Sequence, residues 1–224
     1  MTYWPAGGPE TQRPARADRL SPAGPQRRQP PVPGQSPGLV AVSLVTGGWG
    51  LLYALYRGYY GLGGTVGMIG RAASQAEWRA LNLAGAAMLL VVALLPVAAL
   101  PLWRRPRWRR VLLGVCWALA VGFVMHALIM DTQRVLSLTG ALHIRYPASF
   151  WATVDRHTGD IQDLVFNETW FLAEGLLWGS LALIGLGPSA ARRWWVGTAL
   201  AAVALLTSIG ILSAFGLIGR SVIF

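Results

Sequence analysis

The sequence predicts an all-α integral membrane protein: about five transmembrane helices in one bundle, a disordered Pro/Arg-rich N-terminal tail and one structured outer loop. Three observations predict it. Hydrophobic residues make up 54% of the 224 and charged residues only 12%, against roughly 25% charged in a soluble domain. Mean hydropathy is +0.47. The apolar residues gather in blocks about 20 long, the length that crosses a hydrocarbon core, rather than alternating with polar ones. A cytosolic globular enzyme, a disordered chain and a disulfide scaffold are excluded.

Residues 1–37 hold nine of the 14 prolines and Arg13, Arg16, Arg19, Arg27 and Arg28. Such a segment buries too little apolar surface to offset its ordering entropy, so a disordered cytoplasmic tail is expected. It is too long and too proline-rich for a signal peptide's leading region, so the first apolar block should stay as an anchor. The bundle then occupies 38–224. Its first span is expected at 39–60, with Arg57 near the end. The second, 81–102, contains Pro96 as a kink. The third runs over 111–130. The fourth, 164–187, belongs to a helix that starts near Asp160 and stops at Gly187-Pro188. The last covers 196–217.

The outer loop, 131–163, is read as a short helix opened by Pro147 and ended by Gly159, with Phe150, Trp151 and Val154 toward the lipid interface. Asp160 and Asp163 then cap the next helix.

Charge orients the chain. Nineteen basic residues, all of them arginine, against nine acidic ones give a net charge of +10. Arg104, Arg105, Arg107, Arg109 and Arg110, with Arg192 and Arg193, crowd two short connections, which places these and the tail inside. A multi-pass protein of the cell membrane follows, N-terminus cytoplasmic and C-terminus extracytoplasmic. Trp103, Trp108, Trp194 and Trp195 are expected in an interfacial belt. The arginines serve topology and attraction to anionic lipids, so no nucleic-acid partner is expected. Lysine-free, Ala/Gly/Pro/Arg-rich usage suggests a GC-rich bacterial genome. Cys116 is the one cysteine, which excludes an internal disulfide.

Most motifs read as packing. Gly61-Leu62-Gly63-Gly64-Thr65-Val66-Gly67 lacks the strand and helix of a dinucleotide fingerprint and is expected to be a flexible outer loop. Gly175 and Gly179 let a neighbouring helix approach. His143, His157, Asp160 and Asp163 match no closed metal signature, so neither metal nor cofactor is expected.

The candidate site comes from stripes. Asn167, Trp170, Phe171, Glu174 and Trp178 share one helical face; Trp49, Tyr53, Tyr56 and Tyr60 share another, with Arg57 at its margin. Arg57, Asn82, His126 and Glu168 fall in one outer layer, with Glu174 roughly 9 Å deeper. An acid at that depth marks a bundle interior or wet cavity; the competing explanation is polar glue between helices. Glu174, Arg57, His126, Glu168, Trp49, Tyr53, Tyr56, Trp170 and Asn167 are therefore candidate ligand-binding residues. The leading expectation is a binding or accessory membrane protein that holds a lipid-like or small ligand, or a membrane-protein partner, in an outer-leaflet pocket. A proton-linked small-solute carrier or channel using Glu174 is the second, and a membrane enzyme with an acid–base pair of His126 and a glutamate the third.

Overall fold

A computed structural model describes residues 36–143, 146, 148–187, 189–215 and 218. The chain is mostly helical. In order it forms α1 (Pro37–Gly61), strand β1 (Gly70–Ala72), α2 (Gln75–Ala98), a 3-10 turn (Leu100–Arg104), α3 (Pro106–Leu138), strand β2 (Trp151–Val154), α4 (Arg156–Gln162), a π-turn (Asp163–Asn167), α5 (Glu168–Gly185) and α6 (Ser189–Ala214). Apart from Ser36 and Pro37, the expected tail lies outside the described residues, as do Pro147 and Pro188.

Caps set the helix starts. The Ser36 hydroxyl accepts from the Leu39 amide at 3.3 Å, and Pro37 fills the first helical position, where no amide is needed. The Ser74 hydroxyl accepts from Glu77 at 3.3 Å, so α2 begins well before the expected residue 81. Pro96 sits in its last turn; α2 ends at Ala98 and 99–102 leave it, so proline terminates rather than kinks the span. Proline reappears at the first turn of α3.

Four helices (α1, α2, α3 and α6) are long and apolar enough to cross a membrane. The fifth expected span is helical, but Glu168 and Glu174 lie within the 18 residues of α5 and dilute its apolar character. α5 packs between α1 and α3; α2 lies along α1, and α6 along α3. The end bearing Arg104–Arg110 and Arg192 is termed the arginine end, and the end bearing the strands the sheet end.

Three expectations are corrected at the sheet end. α3 runs on to Leu138, 33 residues in all, so Asp131, Arg134 and Ser137 are helical rather than in a loop. Gly140, at φ +76°, closes the connection. The segment around Trp151 is a strand, not a helix: Gly70, Arg71 and Ala72 pair antiparallel with Val154, Thr153 and Trp151. Trp151 faces Trp78, ring centroids 5.0 Å apart. Finally, Asp155 is the cap, accepting from the Thr158 amide at 3.1 Å and its hydroxyl at 2.7 Å. Asp160 and Asp163 lie inside the continuous helical run, and Gly159 ends nothing. It is buried where a methyl group would meet Ile69 and Tyr146 at 2.9 Å.

Small residues set the α1–α2 seam. Gly47, Gly50, Ala54, Gly58 and Gly61 lie on one α1 face. A Cβ on Gly47 would stand 2.8 Å from the Ala93 carbonyl oxygen, and one on Gly50 3.3 Å from the Ala93 Cα. At the arginine end the core is apolar: Leu39, Ala99, Trp103, Leu112, Cys116, Ala120, Trp178, Leu181 and Ala182 pack together. Trp103 is 2% exposed and belongs to this core, not to an interfacial belt, whereas Trp194 is 76% exposed. Arg192 donates through Nε and Nη2 to the Leu186 carbonyl at 3.2 and 3.0 Å, tying α6 to the end of α5.

Candidate functional site

The polar groups of the fold concentrate where α5 meets α1 and α3. At the sheet end, Arg134 of α3 binds Asp160 Oδ1 through Nη1 at 3.2 Å and Asp163 Oδ2 through Nη2 at 2.7 Å. Ser137 donates to Asp160 Oδ2. Tyr146 accepts from Arg134 at 3.2 Å and donates to Asp160 Oδ1 at 3.0 Å. Burial pushes the Tyr146 hydroxyl's pKa up, against the lowering effect of Arg134, so it keeps its proton to donate. These residues tie α3 to α4 and to the connection between them.

The π-turn carries the network inward. Asn167 Nδ2 donates to Asp163 Oδ1 at 2.6 Å, and its Oδ1 accepts from the Tyr53 hydroxyl at 3.1 Å. Gln162 of α4 donates to the Tyr56 hydroxyl at 3.1 Å. A π-turn inserts one residue into the helical repeat. Here the turn lies between Asp163, which faces Arg134, and Glu168, which faces His126 of α3. Nε2 of His126 stands 3.6 Å from Glu168 Oε2, which has no hydrogen-bond partner although Glu168 is only 3% exposed.

Below this layer, aromatics join α1 to α5. Trp49 stacks on Trp170 at 4.0 Å and donates its indole N–H to the Trp170 carbonyl at 3.2 Å. Tyr53 lies 5.5 Å from Trp170 and meets Phe171 edge-on at 5.2 Å. His126 contacts Phe171 edge-on at 4.9 Å. Glu174 is 4% exposed. Its Oε1 accepts from the Trp178 indole at 2.9 Å, while Oε2 has no partner. It lines a chamber shared with Gly50, Tyr53, Leu89, Val92, Phe123, Trp170 and Phe171. The space for water centres there is about 10 Å³, about what one water needs.

The candidate residues thus divide. Trp49, Tyr53, Asn167, Trp170 and Glu174 come together; His126 pairs with Glu168 beside them; Tyr56 joins through Gln162. Arg57 stands apart, over Gly85 of α2, where a Cβ would lie 3.6 Å from its Nε. Asn82 is fully buried and its amide returns to the Trp78 carbonyl at 2.9 Å. His143 lies beside Arg156 at 2.6 Å. Among the described residues no cluster of three His, Cys, Asp or Glu side chains could hold a metal ion. Sequence reasoning missed Arg134, Tyr146 and Gln162. The signal available was an arginine just past an apolar block, Arg134, with two acids three residues apart, Asp160 and Asp163, before the next one.

The chain matches no protein-family model, no curated protein sequence and no solved structure. Its chemistry must therefore be read from its own side chains. They form a hydrogen-bonded run from the sheet end (Arg134, Asp163, Asn167, Tyr53) to a chamber floored by a carboxyl group. Beyond Trp178 that run meets the apolar core.

Proposed function

We propose that this chain is a binding or accessory protein of the bacterial cell membrane, crossing it five times with the arginine end cytoplasmic. Its chamber opens toward the outer half of the bilayer. The observation that carries the reading is Glu174 Oε2, a buried acceptor without a donor, facing a cavity with aromatic walls. Buried polar atoms are almost always paired, so this oxygen is a place for a ligand's donor or for a water that a ligand replaces. The orientation rests on Arg104, Arg105, Arg107, Arg109, Arg110, Arg192 and Arg193 sharing one end. A cavity of one-water size has room at that oxygen for one water or one small donor group, and a ligand's apolar body lies outside it, against α2 and α3, whose Leu89, Val92 and Phe123 form the wall.

One observation favours the proton-linked reading instead: the run Asp163–Asn167–Tyr53 leads from the sheet end to the chamber. Against it stands the apolar core of Leu39, Trp103, Cys116, Trp178 and Leu181 beyond the chamber. Liposomes holding wild type or Glu174→Gln, under a proton gradient, separate the two. Lipid or solute retention without proton flux is the expected result. Flux abolished by the substitution would overturn the binding reading in favour of transport.

A further inference from the structure

We propose that the ligand class of this site is an anionic phospholipid of the outer leaflet, its headgroup held by Arg57 in the notch above Gly85; this rests on the chamber reading above. Arg57 lies one turn inside the sheet end of α1 and is half-buried, the level at which a span meets headgroups. Among the described residues it makes no hydrogen bond and no ion pair. Arg134, by contrast, binds two carboxylates. Arg57 is thus a half-buried guanidinium without an internal anion in a fold that gives Arg134 two.

The notch is a product of sequence. Gly85 has no side chain, and the Arg57 guanidinium occupies that space, with Nε and Nη2 at 3.6 and 3.7 Å from where a Cβ would be. A methyl group there would make ordinary contact with the guanidinium, and only a longer side chain would compete for its place. One turn deeper on the same two helices are Tyr53 and Leu89, both on the chamber wall. The cation therefore stands one turn above two residues of the chamber wall, with aromatic and aliphatic side chains below a charged group, the order in which a lipid presents chains and headgroup. Arg57 presents a planar fork of donors that matches two phosphate oxygens at once. Met88 of α2, exposed at 67% on the flank beside Leu89 and Val92, gives the acyl chains a surface to follow.

The test uses the full chain in detergent, mixed with phosphatidylglycerol or phosphatidylcholine of matched acyl chains, with retained lipid counted by native mass spectrometry. Wild type, Arg57→Gln and Arg57→Lys are compared; lipid held by the other arginines is common to all three and cancels. Wild type should prefer the anionic lipid about fivefold over the level reached by Arg57→Gln, the factor one arginine contributes near a surface. Arg57→Lys should keep part of the preference, which shows that a loss in Arg57→Gln is not misfolding. Excess inorganic phosphate should leave retention unchanged. Displacement by phosphate would assign the notch to a soluble anion and overturn the lipid. Retention without regard to headgroup charge, or equal in wild type and Arg57→Gln, would overturn the Arg57 site and leave the chamber reading standing. No retention of either lipid would remove both.

Discussion

Removing the Arg134 guanidinium would leave Asp160, 3% exposed, and Asp163 without their shared cation. Breaking a buried ion pair from one side costs about 3–5 kcal/mol, because the remaining charge stays buried and uncompensated. Arg134→Ala should therefore lower the melting temperature in detergent markedly, and Arg134→Lys by less, since an ammonium keeps the charge and loses the fork. An unchanged melting curve for Arg134→Ala would contradict the assignment. At Glu174, Trp178→Phe keeps an aromatic ring but removes the N–H donor and part of the buried volume. It should cost at least as much as a newly unpaired buried acceptor, about 1–3 kcal/mol, read as a lower melting temperature. These residues show how legible the site was. Aromatic and acidic stripes pointed to Trp49, Tyr53, Trp170 and Glu174 because helical spacing alone puts them on one face. Arg134 was hidden because a charged residue just past an apolar block reads as solvated, and only its distant partners reveal otherwise.

At the scale of elements, glycines divide sharply by what lies opposite. Gly47→Ala should loosen α1 from α2, since the new methyl would stand 2.8 Å from the Ala93 carbonyl oxygen, and overpacking of this kind costs about 1–3 kcal/mol. Gly48→Ala, with nothing within 4 Å, should be neutral or slightly stabilising. Equal melting temperatures for the two would refute the close seam. The start of α4 is pH-sensitive in a definite direction. Hydrogen bonds from the Thr158 side chain and amide hold the Asp155 carboxyl below the usual carboxylate range. Its capping contribution is present above about pH 4, the unfolded value, and is lost as pH falls through the lowered folded one. The protection factor of the Thr158 amide, its exchange rate corrected for the intrinsic pH dependence, should fall on acidification, and in Asp155→Ala it should already be low at neutral pH. Apolar blocks located α1, α2, α3 and α6, because lipid demands long uninterrupted stretches. Where α1 and α2 begin is set by caps such as Ser36 and Ser74, which hydropathy does not weigh. The β1–β2 pair joins residues some eighty apart, and no local pattern encodes that meeting.

For the whole molecule, sidedness is the first matter to test. In a Cys116→Ser background, a cysteine at exposed Ala141, at the sheet end, should react with an impermeant thiol reagent on intact cells. One at exposed Ala190, at the arginine end, should react only after lysis. The opposite pattern would invert the proposed orientation. The central position of α5 also has a consequence for biosynthesis. On the five-span reading, α5 is the helix least able to enter lipid alone, since an ionised side chain at a span's centre costs about 2.5–3.5 kcal/mol on insertion, and it carries Glu168 and Glu174. Yet it leaves the ribosome after α1 and α3, the two helices that enclose those acids. Their carboxyl groups need never meet hydrocarbon if the earlier helices wait, paired, at the site of insertion. Order of synthesis thus acts as a chaperone for the acid at the heart of the bundle, and a permuted chain that made α5 first would strand it in the aqueous phase.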